Sequence, residues 1–225
     1  MTGRTVRISV FTVLWLIAGR ASSAGELWLG FEPTSPGPGD TVVVHLYDGS
    51  AERPYLADRV GRFQRLWRRG RADLRGIDGA LPAARFVGER AGVVLVVYDS
   101  ADGLGFCKSL VVVGSPAPGD PIRWSEIGQR LEIVPQTDPV ELRAAPGTLE
   151  LQVLYEREPL AGATVAAVRI AAPDDGLRAT TDEIGVARLH LASGDWRITT
   201  THRDPREPAP VSATLHLVVG EAAGD

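Results

Sequence analysis

"APVSATLHLVVG", residues 209–220, alternates more cleanly than any other stretch of the chain. Val211, Ala213, Leu215, Leu217 and Val219 fall on one face, opposite Ser212, Thr214 and His216. Successive side chains of an extended strand point to opposite sides, so this spacing predicts a strand with one face on a core. His216 is therefore expected at the surface, as is His190, which alternates with Leu189 and Leu191.

The same rhythm recurs on either side of this stretch. "TVVVHLYDG" (41–49) follows "EPTSPGPGD" (32–40), whose prolines and glycines forbid regular structure. "AGVVLVVYDS" (91–100) is apolar on both faces, as expected of a central strand covered on both sides. "KSLVVVG" (108–114) follows a glycine-rich turn. Turn residues recur every 8 to 15 positions and helical patterns are scarce, which is the pattern of a β-sandwich protein. In "DRVGRFQRLWRRGRADLRG" (58–76), Val60, Phe63 and Trp67 have near-helical spacing, whereas Phe63, Arg65 and Trp67 alternate as in a strand. Gly61 and Gly70 weaken a long helix, which favours a strand and hairpin.

"LEIVPQTDPVELRAAPG" (131–147) reads as a linker, because Pro135, Pro139 and Pro146 remove backbone donors. The expected fold is all-β: two antiparallel β-sandwich domains of immunoglobulin or transthyretin-like type, over residues 25–140 and 141–222.

Ahead of them, residues 1–24 read as a cleaved signal peptide. Arg4 and Arg7 precede an apolar run from Ile8 to Ala18, and Ser22-Ser23-Ala24 supplies small residues before a cut at Gly25. The run falls short of the roughly 20 apolar residues of a membrane span. The expectation is a periplasmic or extracellular bacterial protein with no transmembrane anchor after cleavage. Losing Arg4, Arg7 and Arg20 takes the net charge from -4 to -7, which argues against a nucleic-acid partner. Cys107 is the single cysteine, so stability comes from packing and not from an internal disulfide.

Several motifs carry a family likeness. "PLAGATV" (159–165), "TTDEIGVARLHL" (180–191) and "SGDWRIT" (193–199) resemble the carboxypeptidase-regulatory-like, transthyretin-related β-sandwich. With "ELWL" (26–29), "TVVVHLYDG", "FCKSLVVVG" (106–114), "LEIVPQTDP" (131–139), "PLAGATV" and "GDWRITTTH" (194–202) in that order, the chain resembles bacterial domain-of-unknown-function family 4198. Some members are labelled periplasmic components of cobalt or nickel uptake. The resemblance implies an exported, non-enzymatic β protein associated with metal or solute uptake, working beside an envelope transporter or receptor. Members commonly begin the mature domain with a histidine, an amine and imidazole pair suited to a transition metal. Here that position is Gly25, which lacks the imidazole.

Four residues are singled out as candidate contacts. His202 falls where the family often has a histidine and is the candidate ligand for nickel, cobalt or copper; its other reading is a histidine capping the core. Lys108, at the family's lysine position, either pairs with a carboxylate such as Glu132 or binds an anionic ligand. Arg65 and Arg68 belong to a cluster of eight arginines and two acids between Arg53 and Arg75. That balance of +6 leaves -13 on the rest of the mature chain, an asymmetry that suits docking to phosphate-bearing lipids or to an acidic partner protein. Its other reading is a solvated hairpin with its arginines paired to nearby acids. The chain contains no G-x-S-x-G, H-E-x-x-H, phosphate-loop or Cys-x-x-Cys motif, so nothing nominates a catalytic nucleophile with its base. An envelope accessory protein is thus the first expectation. A structural or protein-interaction module without a small ligand is the alternative, and an enzyme ranks last.

Overall fold

A computed structural model describes residues 27–49, 61–67, 70–74, 83–117 and 126–220. The leader, Gly25 and Arg68 lie outside the described residues.

Fifteen strands and one short helix are found among the described residues. The chain runs through β1 (Leu27–Glu32), β2 (Thr41–Asp48), β3 (Arg62–Trp67), β4 (Gly70–Asp73) and β5 (Ala83–Val87). It continues with β6 (Gly92–Asp99), β7 (Gly105–Val113), β8 (Leu131–Pro135), α1 (Pro139–Ala144) and β9 (Gly147–Tyr155). Then come β10 (Glu158–Pro159), β11 (Thr164–Arg169), β12 (Ala172–Thr180), β13 (Val186–Leu191), β14 (Gly194–His202) and β15 (Val211–Val219). The expected all-β sandwich class is the observed one.

The backbone of the fold is one eight-stranded sheet in the order β12-β11-β14-β15-β7-β6-β3-β4. Its middle joint is a parallel pairing of β15 with β7, from Ser212 opposite Gly105 to His216 opposite Ser109. A three-stranded sheet, β1-β2-β5, covers one face. A second sheet, in which β9 pairs with β8, β10 and β13, covers the other. Strand β6 displays this layering. Val93, Leu95 and Val97 join the core against β8, β9 and β13, whereas Val94, Val96 and Tyr98 join the core against β1 and β2. A strand buried on both faces must be apolar at every position, which is how its sequence reads.

Residue 140, the expected division between two domains, falls inside α1, and the main sheet takes strands from both sides of it. The stretch read as a linker is instead ordered structure. Residues 131–135 form β8, buried throughout, and Asp138 caps α1 by accepting from the Val140 N–H (2.8 Å) with Pro139 in the first turn. Proline costs nothing at that position, because the first helical N–H groups have no intrahelical acceptor. The hairpin expected around Phe63 is present as β3 and β4, paired from Gln64–Asp73 to Trp67–Gly70. The turn at Asp182 forms as its sequence indicates. The Asp182 carboxylate accepts from the Ile184 and Val186 N–H groups, and Gly185 takes the left-handed conformation at φ 73°.

Candidate functional site

Three polar clusters interrupt the apolar layers; two of them hold a candidate contact residue, Lys108 or His202, and the third is built around His216. The first lies between β7 and β8. Lys108 follows Cys107 on β7 and points to the opposite face, toward the second sheet. Its ammonium lies 2.5 Å from Glu132 Oε1 and donates to the Ile133 carbonyl (3.1 Å). The two side chains are 3% and 0% exposed. The Glu132 carboxylate also accepts from the backbone N–H groups of Ile127 (2.7 Å), Gly128 (3.0 Å) and Gln129 (3.2 Å). Burial holds the Lys108 ammonium below the ordinary lysine range, against the opposing pull of Glu132. Of the two roles open to Lys108, the geometry is that of the pair with Glu132. The cluster is a strut that ties the main sheet to β8 through side chains where no backbone ladder joins them.

The second cluster sits at the rim where β14 ends. Trp196, Ile198 and Thr200 are buried in succession, and His202 closes the series half-buried. Its ring packs on Tyr155 with centroids 4.4 Å apart. The Tyr155 hydroxyl donates to Asp204 (2.5 Å) and accepts from Arg130 (2.9 Å). Arg206 donates to both Asp204 oxygens, and with Tyr155 it holds that carboxyl well below the ordinary carboxylate range. Arg130 also donates to Glu207 (2.6 Å). Asp204, the acid nearest His202 in sequence, is thus committed to Arg206 and Tyr155. Among the described residues no group of three or more His, Cys, Asp or Glu could hold a metal ion.

The third cluster was not legible in the sequence, and it corrects the expectation for His216. This residue is 1% exposed, not at the surface. Its Nδ1 lies 2.9 Å from Ser109 Oγ on β7, and its Nε2 faces Asp195 Oδ1 on β14. Trp28 and Phe31 of β1 cover the ring, at centroid distances of 5.7 and 5.2 Å. Alternation separates two faces of a strand but does not say that one of them meets water. Here β1 lies over the face that reads as solvent-facing. On the same face Thr214 donates to the Leu27 carbonyl (2.8 Å), which ties β1 down. Ser109, His216 and Asp195 share the residue types of a hydrolase triad. Ser109 is fully buried, however, and a nucleophile without access to solvent cannot meet a substrate. His190 is exposed, as its alternation indicates.

Arg65 lies in β3 opposite Ala72 and Val96, and Arg71 lies in β4. Arg53, Arg59, Arg68, Arg69 and Arg75 lie outside the described residues. Cys107 is buried beneath β1 and β2, and burial pushes its thiol up to about 12, which makes it unreactive. Among the described residues no helix is long and apolar enough to cross a membrane.

These layers and clusters define a β-sandwich protein in which buried Lys108 is paired with Glu132 and buried His216 with Asp195. Residues 98–204 match the family model described as a domain of unknown function (DUF4198), and this region of the chain belongs to that family. The match contains the "FCKSL", "LEIVP", "PLAGATV" and "GDWRITTTH" motifs on which the family likeness rests. No curated protein matches the chain. Among solved structures, the D0-D1 domain of intimin is 12% identical, with 86% of this chain and 97% of that one covered and a TM-score of 0.26. The adhesin InvE of Yersinia pseudotuberculosis is 13% identical, with 85% and 58% covered and a TM-score of 0.26. The fibronectin(III)-like modules of CbhA from Clostridium thermocellum are 9% identical, with 88% and 97% covered and a TM-score of 0.23. At these TM-scores the likenesses carry no argument.

Proposed function

We propose that this chain is an exported envelope module that works by protein–protein contact, without catalysis and without a small-molecule ligand. The observation that supports this reading is that its buried reactive groups are already engaged: Lys108 with Glu132, and His216 with Asp195 and Ser109. The exposed elements are of a different kind. Strand β12 ends the main sheet, and most of its residues are exposed. Such an edge offers backbone donors and acceptors to another chain. Pro173, Asp174, Asp175 and Gly176 limit indiscriminate pairing there, while Leu177 to Thr180 keep a regular register with β11. The arginine-rich segment around β3 and β4, at the other end of the same sheet, is the proposed second contact, for an acidic partner.

The test is cross-linking in envelope extract, with photoreactive side chains placed at Arg178 or at Arg188 on the far sheet. A discrete partner captured from position 178 and not from 188, and lost with Arg65→Glu/Arg68→Glu, is the expected result. Equal capture from both positions, or none from either, removes this reading. Titration with nickel, cobalt and copper separates the metal-uptake alternative, since micromolar binding abolished by His202→Ala would replace contact with capture.

A further inference from the structure

We propose that Lys108 and Glu132 condense into an isopeptide bond, a covalent cross-link between β7 and β8 that the folded chain forms by itself. The inference does not depend on the contact function.

The choice of residue is the first observation. Of the 24 lysines and arginines in the chain, Lys108 is the only lysine. Arginine is the stronger partner for a buried carboxylate, because its planar fork binds both oxygens and its charge is permanent. What lysine offers instead is a primary amine, which becomes a nucleophile once it gives up a proton. Burial at this site shifts Lys108 toward that neutral form.

The surroundings meet the needs of acyl transfer. Nζ lies 2.5 Å from Glu132 Oε1, which is one bond from the carbon to be attacked. Two groups held in place by a fold react as though at an effective molarity of about 10⁵ M or more. The Gly128 and Gln129 N–H groups point at Oε2 across 3.0 and 3.2 Å, where charge collects when the carbon becomes tetrahedral. Both side chains are closed to bulk water, so hydrolysis does not compete. Two ions kept out of water are costly, and condensation removes both at once.

The atoms balance within the pair. The ammonium passes one proton to Oε1, and the amine attacks Cδ. A second proton moves from nitrogen to the same oxygen as the Nζ–Cδ bond forms and the Cδ–Oε1 bond breaks. One water leaves, and no oxidant or co-reactant is needed. Oε1 departs beside the Ile127 N–H, on a loop where Gly128 is exposed, which gives the water a way out. The amide left behind is satisfied. Its one N–H keeps the Ile133 carbonyl as acceptor, and its oxygen keeps the Gly128 and Gln129 donors.

The experiment is mass spectrometry of the purified folded chain, followed by a tryptic digest. The expected mass is about 18 Da below that of the sequence, the loss of one water. The digest should contain a branched peptide joining Lys108 to Glu132, with no cut after Lys108, because an acylated lysine resists trypsin. Lys108→Arg, which keeps the charge and cannot condense, should restore the full mass. A wild type of full sequence mass that trypsin cuts after Lys108 overturns the bond. So does a water lost elsewhere, such as a succinimide at Asp102-Gly103, with the Lys108 amine still open to labelling after denaturation. Should Lys108→Arg fail to fold, the fragment spectra of the wild-type digest decide by the same two outcomes.

Discussion

Lys108 and His216 lie on neighbouring strands, β7 and β15, and face opposite sides of the same sheet. Each is a buried nitrogen base with a carboxylate partner, yet the two pairs are built differently. Glu132 is as buried as Lys108 and is gripped by three backbone N–H groups. Asp195 is partly open to solvent, and His216 meets a hydroxyl that can give or receive. The first pair is closed and static, because neither partner can change charge without stranding the other. The second has one end that water reaches and a hydroxyl partner on a neighbouring strand.

The largest effect should come from breaking the closed pair. Glu132→Leu leaves the Lys108 ammonium unpaired and three N–H groups without an acceptor, a loss of about 3–5 kcal/mol or more by urea denaturation. Replacing Lys108 as well should recover only part of it, since those N–H groups stay orphaned. Leu215→Ala provides the apolar standard between the pairs. It faces the second sheet opposite Lys108 in register, and its loss should cost about 2–5 kcal/mol. If Glu132→Leu proves the milder of the two, the closed pair is weaker than its geometry indicates.

A third measurement uses pH on the β1 side. The folded Cys107 thiol keeps its proton up to about 12, whereas an ordinary one releases it near 9. The folded state therefore holds the extra proton across that window, and stability falls as pH rises through it. Wild type should lose about 1.4 kcal/mol per pH unit more than Cys107→Ala between pH 9 and 11. Identical slopes would mean that water reaches the thiol beneath β1. The smallest effect is expected from Asp195→Asn, whose amide oxygen still accepts from His216. Stability near pH 7 should change by about 1 kcal/mol, by the same denaturation assay.

Much of the fold is legible in the strand patterns themselves. The unbroken apolar run Val93–Tyr98 already signals a doubly covered strand, and the Asp182–Gly185 turn follows from its own side chains. Asp138-Pro139 carries a helix-start signal that the surrounding prolines hide. Of the candidate site residues, Lys108 could be matched with Glu132 because a buried ammonium demands a carboxylate. His216 could not be placed, since its partners lie 21 and 107 residues away.

By itself the sequence determined the period-two strands, the turns between them and the apolar faces, because these depend on neighbours within a few residues. The tertiary structure alone decided that β7 and β15 pair in parallel and that β1 covers the face carrying His216. The Thr214 contact to Leu27 spans 187 positions. Whether a polar side chain meets water or a partner depends on such distant contacts, and that is what turns an alternating histidine from a surface residue into a buried one.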